Sequence, residues 1–157
     1  YQTKEFPLMT LTTDKTNQTF LLQYVKDYCD AITENYKRHS IHSFEYMIER
    51  DPENTYASDQ LNAIQNGTAN LMRFTYRAGK RYYKIVQEEF RNGEYVAGSV
   101  HSFVGKSEDI LGNVYKPASW SAPHTKHVRF SFCDQNDFKK LLDPNFVGWA
   151  GGYLYLR

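Results

Sequence analysis

Leu21, Val25, Tyr28, Ile32 and Tyr36 recur at steps of three and four residues, which places them on one stripe of a helix. The spacing predicts a helix over residues 16–37, about six turns long. Thr16 or Asn17 suits its start as a cap, and Lys37 and Arg38 complement the negative end of its dipole. A second helical piece is expected through Phe44, Met47 and Ile48, stopped by Asp51-Pro52. A third should run from Ser58 through Leu61 and Ile64 to the break at Asn66-Gly67.

After Gly67 the period shortens to two, and aromatic and β-branched residues take over. Leu71 to Arg77 and Arg81 to Phe90 flank Ala-Gly-Lys as a hairpin would. Asn92-Gly93 suits a two-residue turn with positive φ at both centres, and it sets Arg91 opposite Glu94 and Phe90 opposite Tyr95. The strand from Tyr95 to Val104 then carries Val96, Val100 and Val104 on one side, with Tyr95, Ala97, His101 and Phe103 on the other. That strand is either central or lines a groove with its His101 side. Gly105 to Gly112 reads as a loop, Asn113 to Lys116 as a short strand, and Pro117 to Pro123 as irregular because two prolines interrupt a ladder. His127 to Phe132 returns to the sheet, Asp134 to Leu142 forms a short helix capped by Asp134 or Asn136, and Tyr153 to Leu156 is a terminal strand. Residues 1–15, Thr-rich with Pro7, read as a flexible arm or an edge strand. The pattern predicts an α+β fold in which one long N-terminal helix packs on an antiparallel β-meander sheet, closed by the C-terminal strand.

A length of 157 residues fits a single domain over residues 1–157, and an apolar share of 41% with thirteen tyrosines supplies a core without disulfides. Cys29 and Cys133 lie outside any CxxC pair, so reduced thiols are expected. Asn17-Gln-Thr19 and Asn66-Gly-Thr68 match glycosylation acceptors, but nothing else points to secretion. With no long apolar run and no signal-peptide layout, the expected setting is intracellular, with no membrane partner.

Charge is split along the chain. Residues 1–66 hold six Lys/Arg against ten Asp/Glu, and residues 67–157 hold thirteen against eight. A basic second half permits an anionic partner. Lys116, Lys126 and Arg129 are interleaved there with Tyr115 and Trp120. Cations that neutralise phosphates beside rings on which bases stack are the working parts of a single-strand nucleic-acid groove. These five residues are the candidate ligand site, against the alternative that Trp120 plugs the core and the lysines solvate an edge.

Other motifs carry less. Gly105-Lys106-Ser107 resembles the end of a phosphate-binding loop, but the pattern needs a glycine where Val100 stands. In an alternative reading, a small hydrolase or nuclease, His101 or His127 is the candidate acid–base residue and Lys116 or Arg129 stabilises an anionic intermediate. His39 and His42 fit the C-terminal end of the first helix. No metal set or cofactor motif is complete, and neither a metal nor a cofactor is expected.

Gly98-Ser-Val-His-Ser-Phe-Val104, Gly112-Asn-Val-Tyr-Lys-Pro-Ala-Ser-Trp120 and Ala122-Pro123 followed by Val128-Arg129 form a motif string that resembles small uncharacterised proteins of tailed bacteriophages. The resemblance implies a phage or bacterial setting, with the host cytoplasm as location, and carries no activity. The leading expectation is a non-catalytic binding module for single-stranded nucleic acid or another anionic ligand. A virion or assembly protein acting through protein contacts is the third reading, and a homo-oligomer stays open.

Overall fold

A computed structural model describes residues 15–155, with side chains from residue 19 onward. The expected N-terminal arm or edge strand therefore lies outside the described residues. The elements run α1 (Lys15–Arg50), α2 (Thr55–Gln65), β1 (Arg73–Ala78), β2 (Tyr82–Arg91), β3 (Glu94–Gly105), β4 (Asn113–Tyr115), β5 (Phe130–Ser131) and α3 (Gln135–Leu141). The fold is α+β, with the strands in one antiparallel sheet of order β1-β2-β3-β4-β5.

The predicted stripe is the buried one. Leu21, Val25, Tyr28 and Ile32 are fully enclosed and meet Phe74, Ile85, Val104 and Val114 from the sheet. Thr33 fixes the docking: its hydroxyl donates to Cys29 O at 2.8 Å and accepts from Phe74 N at 2.9 Å, tying α1 to β1. Thr16 and Asn17 fall inside the helix, and their side chains lie outside those described.

The expected division after residue 37 does not occur, and α1 continues for 36 residues, about 54 Å. His39 and His42 are consequently mid-helix residues, not dipole partners at its end. The apolar positions of the distal half find a different neighbour: α2 folds back along it, and Phe44 meets Tyr56 edge-on at 6.0 Å. Asp51-Pro52 does end the helix. Asn54 then caps α2 by accepting from Ala57 N at 3.0 Å. Asn54→Ala should lower stability by about 1 kcal/mol. An unchanged urea midpoint would show that the cap contributes nothing.

The Asn92-Gly93 turn has φ of 51° and 84°, and the pairs Arg91↔Glu94 and Phe90↔Tyr95 are in register as expected. Further along β3 the register slips twice. Gly98 and His101 have no partner in β2, so each is the extra residue of a bulge. The second bulge reverses the expected sidedness: His101 turns towards α1, with its ring 6.3 Å from Tyr28, while Phe103 stays on the opposite face beside Tyr82. The C-terminus also differs from expectation. Gly152–Leu154 is a turn of 3-10 helix, and the sheet ends on β5. Gly151 enters that turn at φ 79°, a conformation incompatible with a continuing strand.

Candidate binding face and the cleft behind it

Residues directly opposite each other in neighbouring strands share a face. The register aligns Arg77, Lys84, Phe103 and Tyr115 in one row across β1 to β4, on the side of the sheet away from α1. Phe103 and Tyr115 form a buried aromatic floor with Tyr82, whose ring meets theirs edge-on at 5.9 and 6.0 Å. Tyr115 takes no part in the surface; its oxygen accepts from Asn113 Nδ2 at 3.2 Å.

Trp120 reaches this row from a closed loop. Pro117 and Pro123 bridge at its base, Ala118 and Ser119 N–H groups donate to Ala122 O, and Ser119 Oγ accepts from Ser121 and Ala122 N. The segment expected to be irregular is thus pinned, with the indole near its tip and 42% exposed. Lys84 Nζ lies 4.3 Å from the ring centroid and Arg77 Cζ 5.8 Å. Below them is a pocket of about 380 Å³ bordered by Arg77, Lys80, Arg81, Lys84 and Ser121.

The cations there differ in availability. Arg81 is committed to Asp109 through two bonds of 3.0 and 2.7 Å, which hold its guanidinium pKa up and the carboxyl pKa down. Arg77 reaches Glu88 only at 3.9 Å, a carboxylate already bonded to Arg73 at 2.9 Å. Lys80 and Lys84 have no carboxylate partner among the described residues. The backbone N–H groups of Lys106 and Ser107 both go to Arg81 O, so this glycine-lysine-serine run presents no phosphate-binding nest.

On the other side of the sheet, His101 lies in a buried hydrogen-bonded chain. Its Nε2 is 3.2 Å from Gly148 O, which can only accept, so Nε2 carries the proton. Nδ1 then accepts from Ser102 Oγ at 3.0 Å, Ser102 accepts from Tyr28 at 3.1 Å, and Tyr28 accepts from Tyr153 at 2.6 Å. Burial pushes the His101 pKa down to about 4 and the Tyr28 and Tyr153 values up. Beside the imidazole is a cleft of about 300 Å³ between β3 and the C-terminal segment, with Lys116 at one wall.

The five residues predicted as one ligand site are therefore divided. Trp120 stands on the face away from α1, and Lys116 turns the other way, with Nζ 4.4 Å over the Tyr155 ring. Lys126 is exposed in the loop before β5. Arg129 is half-buried, with Nε and Nη1 enclosed and without a hydrogen-bond partner among the described residues. His127 is exposed, in contrast to the buried His101, and no contact among the described residues joins the two. Arg77, Lys80 and Lys84 were not predicted, although Arg77-Ala-Gly-Lys-Arg81 carries three cations within one hairpin turn and Lys84 shares the parity of Tyr82.

No described helix is long and apolar enough to cross a membrane. A family model described as a family of unknown function, DUF7717, matches residues 4–156. No curated protein and no solved structure matches the chain.

Proposed function

The chain belongs to that family, and from this premise we propose that it is a non-catalytic binding module whose sheet face takes single-stranded nucleic acid. The observation that carries the reading is Trp120, held exposed on a pinned loop with the Lys84 ammonium 4.3 Å from its ring, and Lys84 shares a pocket with Lys80. Unpaired cations next to an accessible indole can neutralise phosphates while a base stacks. The tailed-phage setting implied by the motif string belongs to the same proposal. The hydrolase reading has less support, because both ring nitrogens of His101 are engaged and burial holds the imidazole neutral through the usual catalytic range.

Fluorescence anisotropy with a labelled oligothymidylate tests this. Trp120→Ala should weaken binding by about ten-fold or more, since stacking contributes roughly 1–3 kcal/mol per base. Lys84→Ala should also flatten the fall of log Kd with log salt. Full-strength binding by Trp120→Ala, or affinity indifferent to salt, would overturn the proposal. Unchanged circular dichroism of the variants confines the effect to the face.

A further inference from the structure

We propose that the cleft behind the sheet, between β3 and the C-terminal segment, binds a small monoanion with a planar apolar body, of which an aryl carboxylate is the simplest case. The cleft follows from backbone geometry. The two bulges of β3 turn Ser99 and His101 out of simple alternation, while Gly151 at φ 79° bends the C-terminal segment back over the gap. Three bonds hold that segment in place: Gly148 O accepts from His101, Tyr153 donates to Tyr28, and Trp149 N donates to Asn35 Oδ1 at 2.9 Å. The space left, about 300 Å³, is at the small end of ligand pockets and too short for a polymer.

Its chemistry selects charge and shape. Among the described residues lining the cleft, Lys116 is the one lysine or arginine and none is an aspartate or glutamate. Lys116 is half-buried, with its ammonium 4.4 Å from the Tyr155 ring centroid and no anionic partner among the described residues, so an entering anion meets a positioned cation. A single charge is favoured because His101, whose Nε2 is committed to Gly148, adds no second cation. The planar body is read from Trp149 and Tyr155, two aromatic residues that line the space. Trp149 is itself fixed edge-on against Tyr36 at 5.1 Å. Gln87 and Ser99 supply neutral polar groups at the same cleft.

The two tryptophans make the test internal. Trp149 lines this cleft and Trp120 stands on the opposite face, so their indole N–H resonances, assigned with Trp149→Phe, report the two surfaces separately. Benzoate should shift the Trp149 resonance saturably and leave that of Trp120 in place. Benzyl alcohol and inorganic phosphate, which each lack one half of the ligand, should bind at least ten-fold more weakly. Lys116→Met should remove the preference for benzoate over benzyl alcohol, while Lys139→Met on α3 should keep it. An unmoved Trp149 resonance, equal binding of benzoate and either partial probe, or an undiminished preference in Lys116→Met would each overturn the proposal. None of these outcomes bears on oligonucleotide binding at the Trp120 face.

Discussion

Gly105→Ala is expected to abolish stable folding. A β-carbon at this position would sit 2.0 Å from Ile110 O and 2.8 Å from Ile110 C, both backbone atoms that no rotamer change can move. The approach is fixed from both sides: Gly112 N donates to Gly105 O at 3.0 Å, and Lys106 N donates to Arg81 O at 2.9 Å. Relief requires β3 to separate from the Glu108–Ile110 turn, which would draw Phe103 and Val104 out of packing. The loss should be about 4 kcal/mol or more, the range of severe backbone and overpacking defects. Gly148→Ala is the control, because nothing lies within 4 Å of its β-carbon, and it should stay within about 0.5 kcal/mol of the parent. Urea denaturation followed by circular dichroism measures both. A cooperative Gly105→Ala transition at the parental midpoint would show that the turn yields freely.

The second large effect is a pH dependence centred on His101. Its pKa is about 4 in the folded protein, against an ordinary value of 6.5, so the unfolded chain takes up this proton first as pH falls. The stabilisation is complete above about pH 6.5 and is lost progressively down to about pH 4, at roughly 1.4 kcal/mol per pH unit. Protonation also breaks the sense of the chain, since Nδ1 can no longer accept from Ser102. The surrounding rings of Phe74, Tyr28 and Tyr153 supply no compensating charge. Carboxylates titrate over part of the same window, so the comparison is with His101→Gln. Between about pH 7 and pH 4.5 the stability advantage of the parent over His101→Gln should shrink by about 2–3 kcal/mol. A constant difference would mean that the imidazole titrates alike in the folded and unfolded chains.

Local signals in the sequence governed the parts of the fold that local physics decides. The α1 stripe was legible because Leu21, Val25, Tyr28 and Ile32 all turn into one core. The β2–β3 turn was legible because Asn92 and Gly93 tolerate the positive φ that a tight hairpin requires. The continuation of α1 through His39 and His42 was not legible. Beyond residue 37 the helix changes partner from the sheet to α2, and a change of partner rotates the buried stripe even though the helix is unbroken. The C-terminal 3-10 turn was concealed in a similar way, because the alternating pattern of Tyr153, Leu154 and Tyr155 satisfies either conformation.

The candidate site was half legible for a related reason. Trp120 was visible as an aromatic among cations, and it does stand exposed. Its partners were sought nearby in sequence, whereas the row from Arg77 to Tyr115 is assembled by register across four strands. The bulge at His101 then moved one candidate to the other side of the sheet, and simple alternation contains no signal for an inserted residue.

The meander order has a consequence for how the chain reaches this state. Every strand pairs with its immediate successor, so the sheet can zip by short loop closures. The ties between α1 and the C-terminal segment, Asn35 to Pro144, Asn35 to Trp149 and Tyr28 to Tyr153, instead span 109, 114 and 125 residues. Such distant closures cost the most chain entropy and are repaid only once the sheet exists as a platform. The segment that walls the Lys116 cleft is therefore expected to settle last.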